Sequence, residues 1–364
     1  MYRRGDLFRK PDERARAFRF DTLQMPVIRE TGAFPRRIAM ASPAPRYRIG
    51  IDLGGTKIMA GVFDEKIESL GITKISTKAD RGAAAVVDRI ARCVADAADE
   101  CDLTLEDIKA VGIGAPGAVD PDKGVVIFAP NLAWENVPLQ KQLEKKLDLP
   151  VFLENDCNVA TLGVYEHELE AKPADVVGIF MGTGIGGGLI VNHEIYSGFN
   201  KTAGEIGHMV IEVDGPKCGC GNRGCFEALA SRNAIFQKIK TAVREGQKTE
   251  LTEMLGADLA DMRSGHLRKA IRRGDKFVQE VVQNAARYAG IAVGNIINLF
   301  NPEVVIMGGG VVEALEDEIM PTISKTALEG ALPGTVKGIR IMPTRLADNA
   351  GIIGAAVLAR RMVK

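Results

Sequence analysis

The hydrophobic pattern of the chain becomes regular at about residue 46. Residues 47–52 alternate between apolar and other side chains, a glycine turn interrupts them at 54–57, and residues 58–63 form a second apolar run. Alternation of period two predicts a strand on each side of the turn. The same pattern of strand, glycine turn and strand returns at 175–198. The sequence therefore predicts two comparable hairpins, each opening one half of the chain.

The segments after each hairpin mix strand and helix patterns. An apolar strand at 151–153 ends in Glu154-Asn155-Asp156, ahead of a helix-like segment. A long helical pattern at 275–300 precedes an apolar run and the triplet Gly308-Gly309-Gly310. A terminal helix is expected from about Asp348 onward. Strands alternating with helices place the chain in the α/β class.

Residues 1–46 differ from the rest. This segment is rich in arginine, is interrupted by prolines and shows no sustained hydrophobic period. It lacks the continuous apolar region of a signal peptide, and its acidic residues argue against a transit peptide. We expect a poorly ordered N-terminal extension.

The charge balance and the cysteines of the chain limit the binding partners and the cellular location that we expect. Lysine plus arginine and aspartate plus glutamate both number 47, so there is no net basic field for nucleic acid. No apolar run reaches the roughly 18 residues that a bilayer span needs, so no membrane partner is expected. Cys93, Cys101 and Cys157 are scattered and suit small buried apolar positions. Unpaired thiols argue against a secreted disulfide framework, and a cytoplasmic location is expected.

The glycine turns predict phosphate binding. Residues 182–187 satisfy G-x-G-x-x-G, but a dinucleotide site requires a following helix and a strand pattern follows here. Neither turn is a Walker A motif, and the chain lacks the H-R-D and D-F-G partners of a protein kinase. Exposed amides and a threonine hydroxyl can still bind phosphate oxygens, and Asp52 can hold Mg²⁺ through water. The predicted ATP contacts are Asp52, Gly54, Gly55, Thr56, Lys57, Thr183, Gly184, Gly186, Gly309 and Gly310.

Four motifs together resemble one family. They are D-L-G-G-T-K at 52–57, E-N-D-C-N-V-A at 154–160, G-T-G-I-G-G-G at 182–188, and G-E-I-G-H at 204–208 followed by C-G-C-G-N-R-G-C-F-E at 218–227. The chain resembles the ROK family of sugar kinases and sugar-responsive repressors, and within it the bacterial glucokinases. The resemblance implies an actin-like two-domain ATPase fold, built from duplicated ribonuclease-H-like domains with a cleft between them. The expected domains are 47–155 and 156–349, with the terminal helix at 350–364 packing on the first. A homo-oligomer, dimer or tetramer, is also implied.

Asp156 is the candidate catalytic base. A carboxylate at the end of an apolar strand lies where a cleft is expected, and it can accept the proton of an attacking hydroxyl. The residues alone fit a helix N-cap equally well; the resemblance implies the base. The resemblance also implies six sugar contacts: Asn131, Asn155, Asp156, Glu205, His208 and Glu227.

Cys218, Cys220 and Cys225 lie within eight positions, and His208 lies ten residues before the first of them. A redox C-x-x-C motif is absent, and C-x-C spacing strains a disulfide but suits a shared metal ion. Three cysteines and one histidine form a common structural zinc set, and the family's zinc motif has the same spacing. We expect structural Zn²⁺, with His208 serving both the metal and the sugar.

The implied activity is ATP-dependent phosphorylation of a hexose at its 6-hydroxyl, with D-glucose as the expected substrate and Mg²⁺ as the metal cofactor. Fructokinase and N-acetylmannosamine kinase have nearly the same motifs and remain alternatives. A ROK-type repressor is disfavoured, because residues 1–46 show no helix–turn–helix pattern.

Overall fold

The computed structural model describes residues 46–363, which belong to the compact unit that runs from Pro43 to Lys364. The predicted N-terminal extension therefore lies outside the described residues, apart from Arg46. The strands are β1 (Tyr47–Leu53), β2 (Lys57–Phe63), β3 (Ser69–Ser76), β4 (Ile108–Ala115), β5 (Ala118–Asp120), β6 (Val125–Ala129), β7 (Trp134–Val137), β8 (Val151–Asn155), β9 (Val176–Met181), β10 (Ile185–Val191), β11 (Glu194–Ile195), β12 (Val304–Gly308) and β13 (Arg340–Pro343). The helices are α1 (Ala83–Asp99), α2 (Leu139–Leu147), α3 (Asp156–His167), α4 (Phe226–Ala230), α5 (Arg232–Arg244), α6 (Glu250–Leu255), α7 (Ser264–Arg272), α8 (Lys276–Phe300), α9 (Gly310–Gly330) and α10 (Ala350–Met362).

Two five-stranded sheets share one topology. The first has the order β3-β2-β1-β4-β8 and the second the order β11-β10-β9-β12-β13. In each sheet the hairpin strands pair antiparallel, and the last two strands join in parallel. The predicted hairpins are thus confirmed as the start of each sheet. Their repetition is the duplication that an actin-like fold requires.

Apolar clusters lie within and between the sheets. One contains the face of the first sheet that packs on α1 and α2, and another packs α5, α7, α8 and α9 on the second sheet. A third lies between the sheets and includes residues of α3 and α10. Small residues let these two helices approach closely: a Cβ on Gly354 would lie 1.6 Å from the carbonyl oxygen of Val159. Helix α10 also lies against β1, because a Cβ on Gly50 would lie 1.8 Å from the carbonyl oxygen of Ile352.

The described helices include none that is long and apolar enough to cross a bilayer.

Candidate active site

Three consecutive polar residues, Glu154, Asn155 and Asp156, lie where strand β8 ends and helix α3 begins. Asn155, not Asp156, is the N-cap: its Oδ1 accepts hydrogen bonds from the backbone N of Cys157 at 2.9 Å and of Asn158 at 3.1 Å. The N-cap alternative for Asp156 is therefore wrong, because the adjacent amide side chain already fills that position. Asp156 becomes the first residue of α3, and its carboxylate contributes to a pocket wall.

The carboxyl of Asp156 is held in an environment that favours its protonated form. Burial raises its pKa to about 6, although the hydrogen bond from the Cys157 amide, 2.8 Å from Oδ1, opposes the shift. Burial, followed by the charge of Asp156, likewise raises the pKa of Asp52 to about 7. At pH 8 Asp156 is ionised, so it can act as a proton acceptor.

A pocket of about 400 Å³, called here the central pocket, brings most of the predicted residues together. All six predicted sugar contacts line it: Asn131, Asn155, Asp156, Glu205, His208 and Glu227. Four predicted ATP contacts line it as well: Thr183, Gly184, Gly186 and Gly309. Its wall combines carboxylates, amides and an imidazole with glycine backbone, which suits a polyhydroxyl ligand next to a phosphate.

The glycine hairpin between β9 and β10 is fixed by a carboxylate. The amide of Ile185 donates to Oε2 of Glu227 at 2.9 Å, and the amide of Gly182 donates to the carbonyl of Gly184 at 2.8 Å. A Cβ on Gly184 would lie 2.2 Å from Glu227 Oε2. Only glycine therefore leaves room for the carboxylate at this position.

The β1–β2 hairpin lies outside the wall of the central pocket. Asp52, Gly54, Gly55, Thr56 and Lys57 are not part of the wall of the central pocket. Lys57 Nζ forms an ion pair with Asp348 Oδ2 at 2.5 Å, and Gly54 N donates to the Lys57 carbonyl at 2.9 Å. The hairpin still adjoins the pocket, because a Cβ on Gly55 would lie 3.2 Å from Cβ of Asn131.

A second cavity, of about 710 Å³, lies between α5, α7 and α9 and is called here the outer cavity. Gly310, the remaining predicted ATP contact, lines it. Phe236, Met262 and Ala314 provide its apolar surface. An apolar surface beside a glycine turn suits a nucleotide base.

The residues predicted to bind zinc form one cluster. One ligand atom from each of His208, Cys218, Cys220 and Cys225 can be chosen so that all four lie within 4.8 Å of one another. Sγ of Cys218 lies 3.7 Å from Nδ1 of His208, and Sγ of Cys220 lies 3.7 Å from Sγ of Cys225. Ligands about 2.3 Å from a central zinc ion stand roughly 3.8 Å apart at tetrahedral angles. These residues fit a tetrahedral zinc ion.

Comparison with known proteins agrees with the resemblance. The family model described as ROK family matches residues 48–362. The chain belongs to the ROK family. It is 34% identical to a glucokinase of Thermotoga maritima, in an alignment covering 86% of the chain and 98% of that protein. A glucokinase of Streptomyces coelicolor is 36% identical, with 86% and 97% covered.

Solved structures extend the comparison to the ROK fold. A ROK family glucokinase from Streptomyces griseus, crystallised in complex with glucose and AMPPNP, superposes with a TM-score of 0.75. It is 35% identical to the chain, and the match covers 86% of the chain and 99% of that structure. The predicted α/β, actin-like fold class is confirmed.

Sequence reasoning missed several polar residues of this ROK chain. Glu154 is buried, and its Oε1 accepts from the amide of Asn155 at 2.8 Å and from Nδ2 of Asn158 at 3.0 Å. Burial raises the pKa of Glu154. Its position just before Asn155 could have indicated this supporting role. Lys201, which forms an ion pair with Asp122 at 2.8 Å beside the central pocket, carried no sequence signal.

Proposed function

We propose that the chain is an ATP-dependent hexose kinase that transfers the γ-phosphoryl group to the 6-hydroxyl of D-glucose. The observation that carries this proposal is the carboxylate of Asp156, which lines the central pocket together with the β9–β10 glycine hairpin. Glucokinases at 34% and 36% identity and a related structure with glucose and AMPPNP support the choice of substrates. Fructose and N-acetylmannosamine are the alternative acceptors.

The acceptor sugar is held by side chains that do not react. Asn131, Asn155, Glu205, His208 and Glu227 offer donors and acceptors to its hydroxyls, because unpaired hydroxyls in a closed pocket are costly. Asp156 accepts the proton of the attacking hydroxyl, a contribution worth roughly 10²- to 10⁴-fold in rate.

ATP, the phosphoryl donor, is held mainly by backbone groups of the protein. Thr183, Gly184 and Gly186 present the second hairpin to the phosphates, Gly309 lines the central pocket and Gly310 lines the outer cavity. The first hairpin contributes Gly54, Gly55, Thr56 and Lys57. Asp52 would hold Mg²⁺ through water, and its raised pKa fits a position that a cation neutralises. Bound Mg²⁺ would supply positive charge to the transferring phosphoryl group.

His208, Cys218, Cys220 and Cys225 would hold a structural Zn²⁺. Such an ion supplies no reaction step; it fixes the loop that carries two pocket residues. Nδ1 of His208 lies toward Cys218, while Nε2 lies 3.9 Å from Oε2 of Glu205 on the wall of the central pocket. One imidazole can therefore serve both the metal and the sugar.

The organisation of the chain is part of the proposal. We assign residues 47–155 and 156–349 to the two actin-like domains, and this is supported by the two sheets of equal topology. The contact of α10 with β1 supports packing of the terminal helix on the first domain. A homo-oligomer and a cytoplasmic location complete the proposal, the latter supported by six cysteines without a disulfide.

A hexose panel tests the proposal. Purified protein is incubated with ATP, Mg²⁺ and one of glucose, fructose, mannose or N-acetylmannosamine, and ADP formation is measured. We expect the highest kcat/KM for glucose and a product phosphorylated at the 6-hydroxyl. A higher value for fructose or N-acetylmannosamine would select that alternative, and absence of ADP with every sugar would refute kinase function.

A further inference from the structure

Arg232, to which the sequence motifs assign no role, lies between the β9–β10 hairpin and the glycine turn before α9. It is the first residue of α5, and Ser231 caps this helix by accepting a hydrogen bond from the amide of Ala234 at 3.2 Å. Arg232 lines the outer cavity. Its place at the start of a capped helix fixes its backbone.

Both the backbone and the side chain of Arg232 contact the β9–β10 hairpin. Its amide donates to the carbonyl of Gly182 at 2.9 Å, and Nη2 of its guanidinium donates to Oγ1 of Thr183. On its other side, a Cβ on Gly310 would lie 3.9 Å from Nη1. The guanidinium thus extends from the hairpin to the turn that begins α9.

Within residues 46–363, no carboxylate oxygen lies within 4.0 Å of the Arg232 guanidinium. Arg263 and Arg268 line the same cavity, whereas Glu313 is its one acidic lining residue. The cavity wall therefore carries a positive excess, which attracts a polyanion. Ser264 adds a buried hydroxyl on this wall without a hydrogen-bond partner among the described residues.

Arg232 connects the hairpin of the central pocket with the outer cavity. Thr183 and Gly184 line the central pocket together with Asp156, and Arg232, which lines the outer cavity, donates to Thr183. A nucleotide with its base in the outer cavity and its phosphates at the β9–β10 hairpin would therefore lie beside Arg232. The planar guanidinium offers several donors in a fixed arrangement that matches phosphate oxygens.

We propose that Arg232 is a donor-binding residue that contacts the phosphate chain of the nucleotide through its guanidinium. The inference rests on the proposed kinase function. In this role Arg232 offsets charge on the phosphates, as cationic side chains do in phosphoryl transfer. It contributes little to binding of the nucleoside part.

Calorimetry with ADP and with adenosine tests the assignment. Arg232→Gln should weaken ADP binding by about ten- to a hundredfold, because a charge-assisted contact is lost. Adenosine affinity should change less than about twofold. Arg232→Lys should recover part of the lost affinity, since lysine restores the positive charge but not the planar set of donors of the guanidinium. The matched control is Arg244→Gln, an exposed arginine at the far end of α5, which should leave both affinities unchanged.

Equal losses of ADP and adenosine affinity in Arg232→Gln would overturn the proposal, because they would indicate a general distortion of the cavity. Unchanged ADP affinity would overturn it as well. Melting curves of each variant report whether the hairpin contact affects folding, and Arg232→Lys separates charge from packing. Failure of the kinase proposal can be distinguished from failure of the Arg232 proposal. In the first case the wild-type protein would phosphorylate no hexose, whatever the calorimetry of the Arg232 variants shows.

Discussion

The Asp156→Asn substitution should lower activity and raise stability, and both effects follow from the same carboxyl group. The amide keeps the size of the side chain, and its oxygen can still accept the hydrogen bond from Cys157, 2.8 Å away in the wild-type protein. It cannot accept a proton from a hydroxyl. We expect kcat for glucose to fall by roughly two to four decades, while the affinity for glucose changes only a few-fold.

The stability effect can be worked out from the pKa. Burial raises the pKa of Asp156 from 3.8 to about 6, a difference of about 2 units. At about 1.36 kcal/mol per unit this corresponds to roughly 3 kcal/mol, which we reduce to about 1–2 kcal/mol because the side chain is partly exposed to the pocket. Since the folded pKa is the higher one, the folded state binds the proton more tightly. The stabilisation is present at low pH and is lost as the pH rises through 6.

Asparagine does not ionise, so the variant should avoid this loss. We expect the free energy of unfolding of Asp156→Asn, relative to wild type, to be about 1–2 kcal/mol higher at pH 8 than at pH 4. Denaturant titration at the two pH values measures it, and the difference between them cancels effects of the amide that do not depend on pH. The wild-type kcat/KM should fall as the pH drops below about 6. Near-normal turnover, or a relative stability that does not vary with pH, would refute the reasoning.

Three further substitutions test the metal and donor sites. Gly184→Val would place Cβ 2.2 Å from Oε2 of Glu227 and should raise the KM for ATP about tenfold, measured by initial rates. Asp52→Asn should raise the Mg²⁺ concentration for half-maximal rate about tenfold, measured by metal titration. Cys220→Ser should reduce bound zinc below the expected one ion per chain, measured by metal analysis, whereas Cys101→Ser should retain it. A disulfide would instead give metal-free protein that is sensitive to reductant.

The hairpins were predictable from sequence because their strands are neighbours along the chain. The pattern predicts strands at 47–52 and 58–63, and the structure has β1 at Tyr47–Leu53 and β2 at Lys57–Phe63. The parallel pairing of β1 with β4 was not predictable from pattern, since it joins segments separated by β2, β3 and α1. The order of such strands depends on tertiary packing, which local periodicity does not encode.

In the candidate site too, some features were predictable from sequence and others depend on the folded structure. The clustering of His208 with three cysteines was predictable because Cys218, Cys220 and Cys225 lie within eight positions of the sequence. Asn155 and Asp156 were both identified, but which of them caps α3 depends on a backbone detail that either residue type permits. Arg232 gave no signal, because an arginine at the start of a helix is ordinary until the hairpin is folded against it.

The segment 225–232 connects the cysteine–histidine cluster, the central pocket and the β9–β10 hairpin. Cys225 belongs to the cysteine–histidine cluster, Glu227 lines the central pocket and accepts from the amide of Ile185, and Arg232 donates to Gly182 and Thr183. These contacts leave little freedom for the cysteine loop at 218–225 to move without the β9–β10 hairpin. Loss of the metal in Cys220→Ser should therefore raise the KM for ATP as well as the KM for glucose. A change in the glucose KM alone would show that the loop and the hairpin move independently.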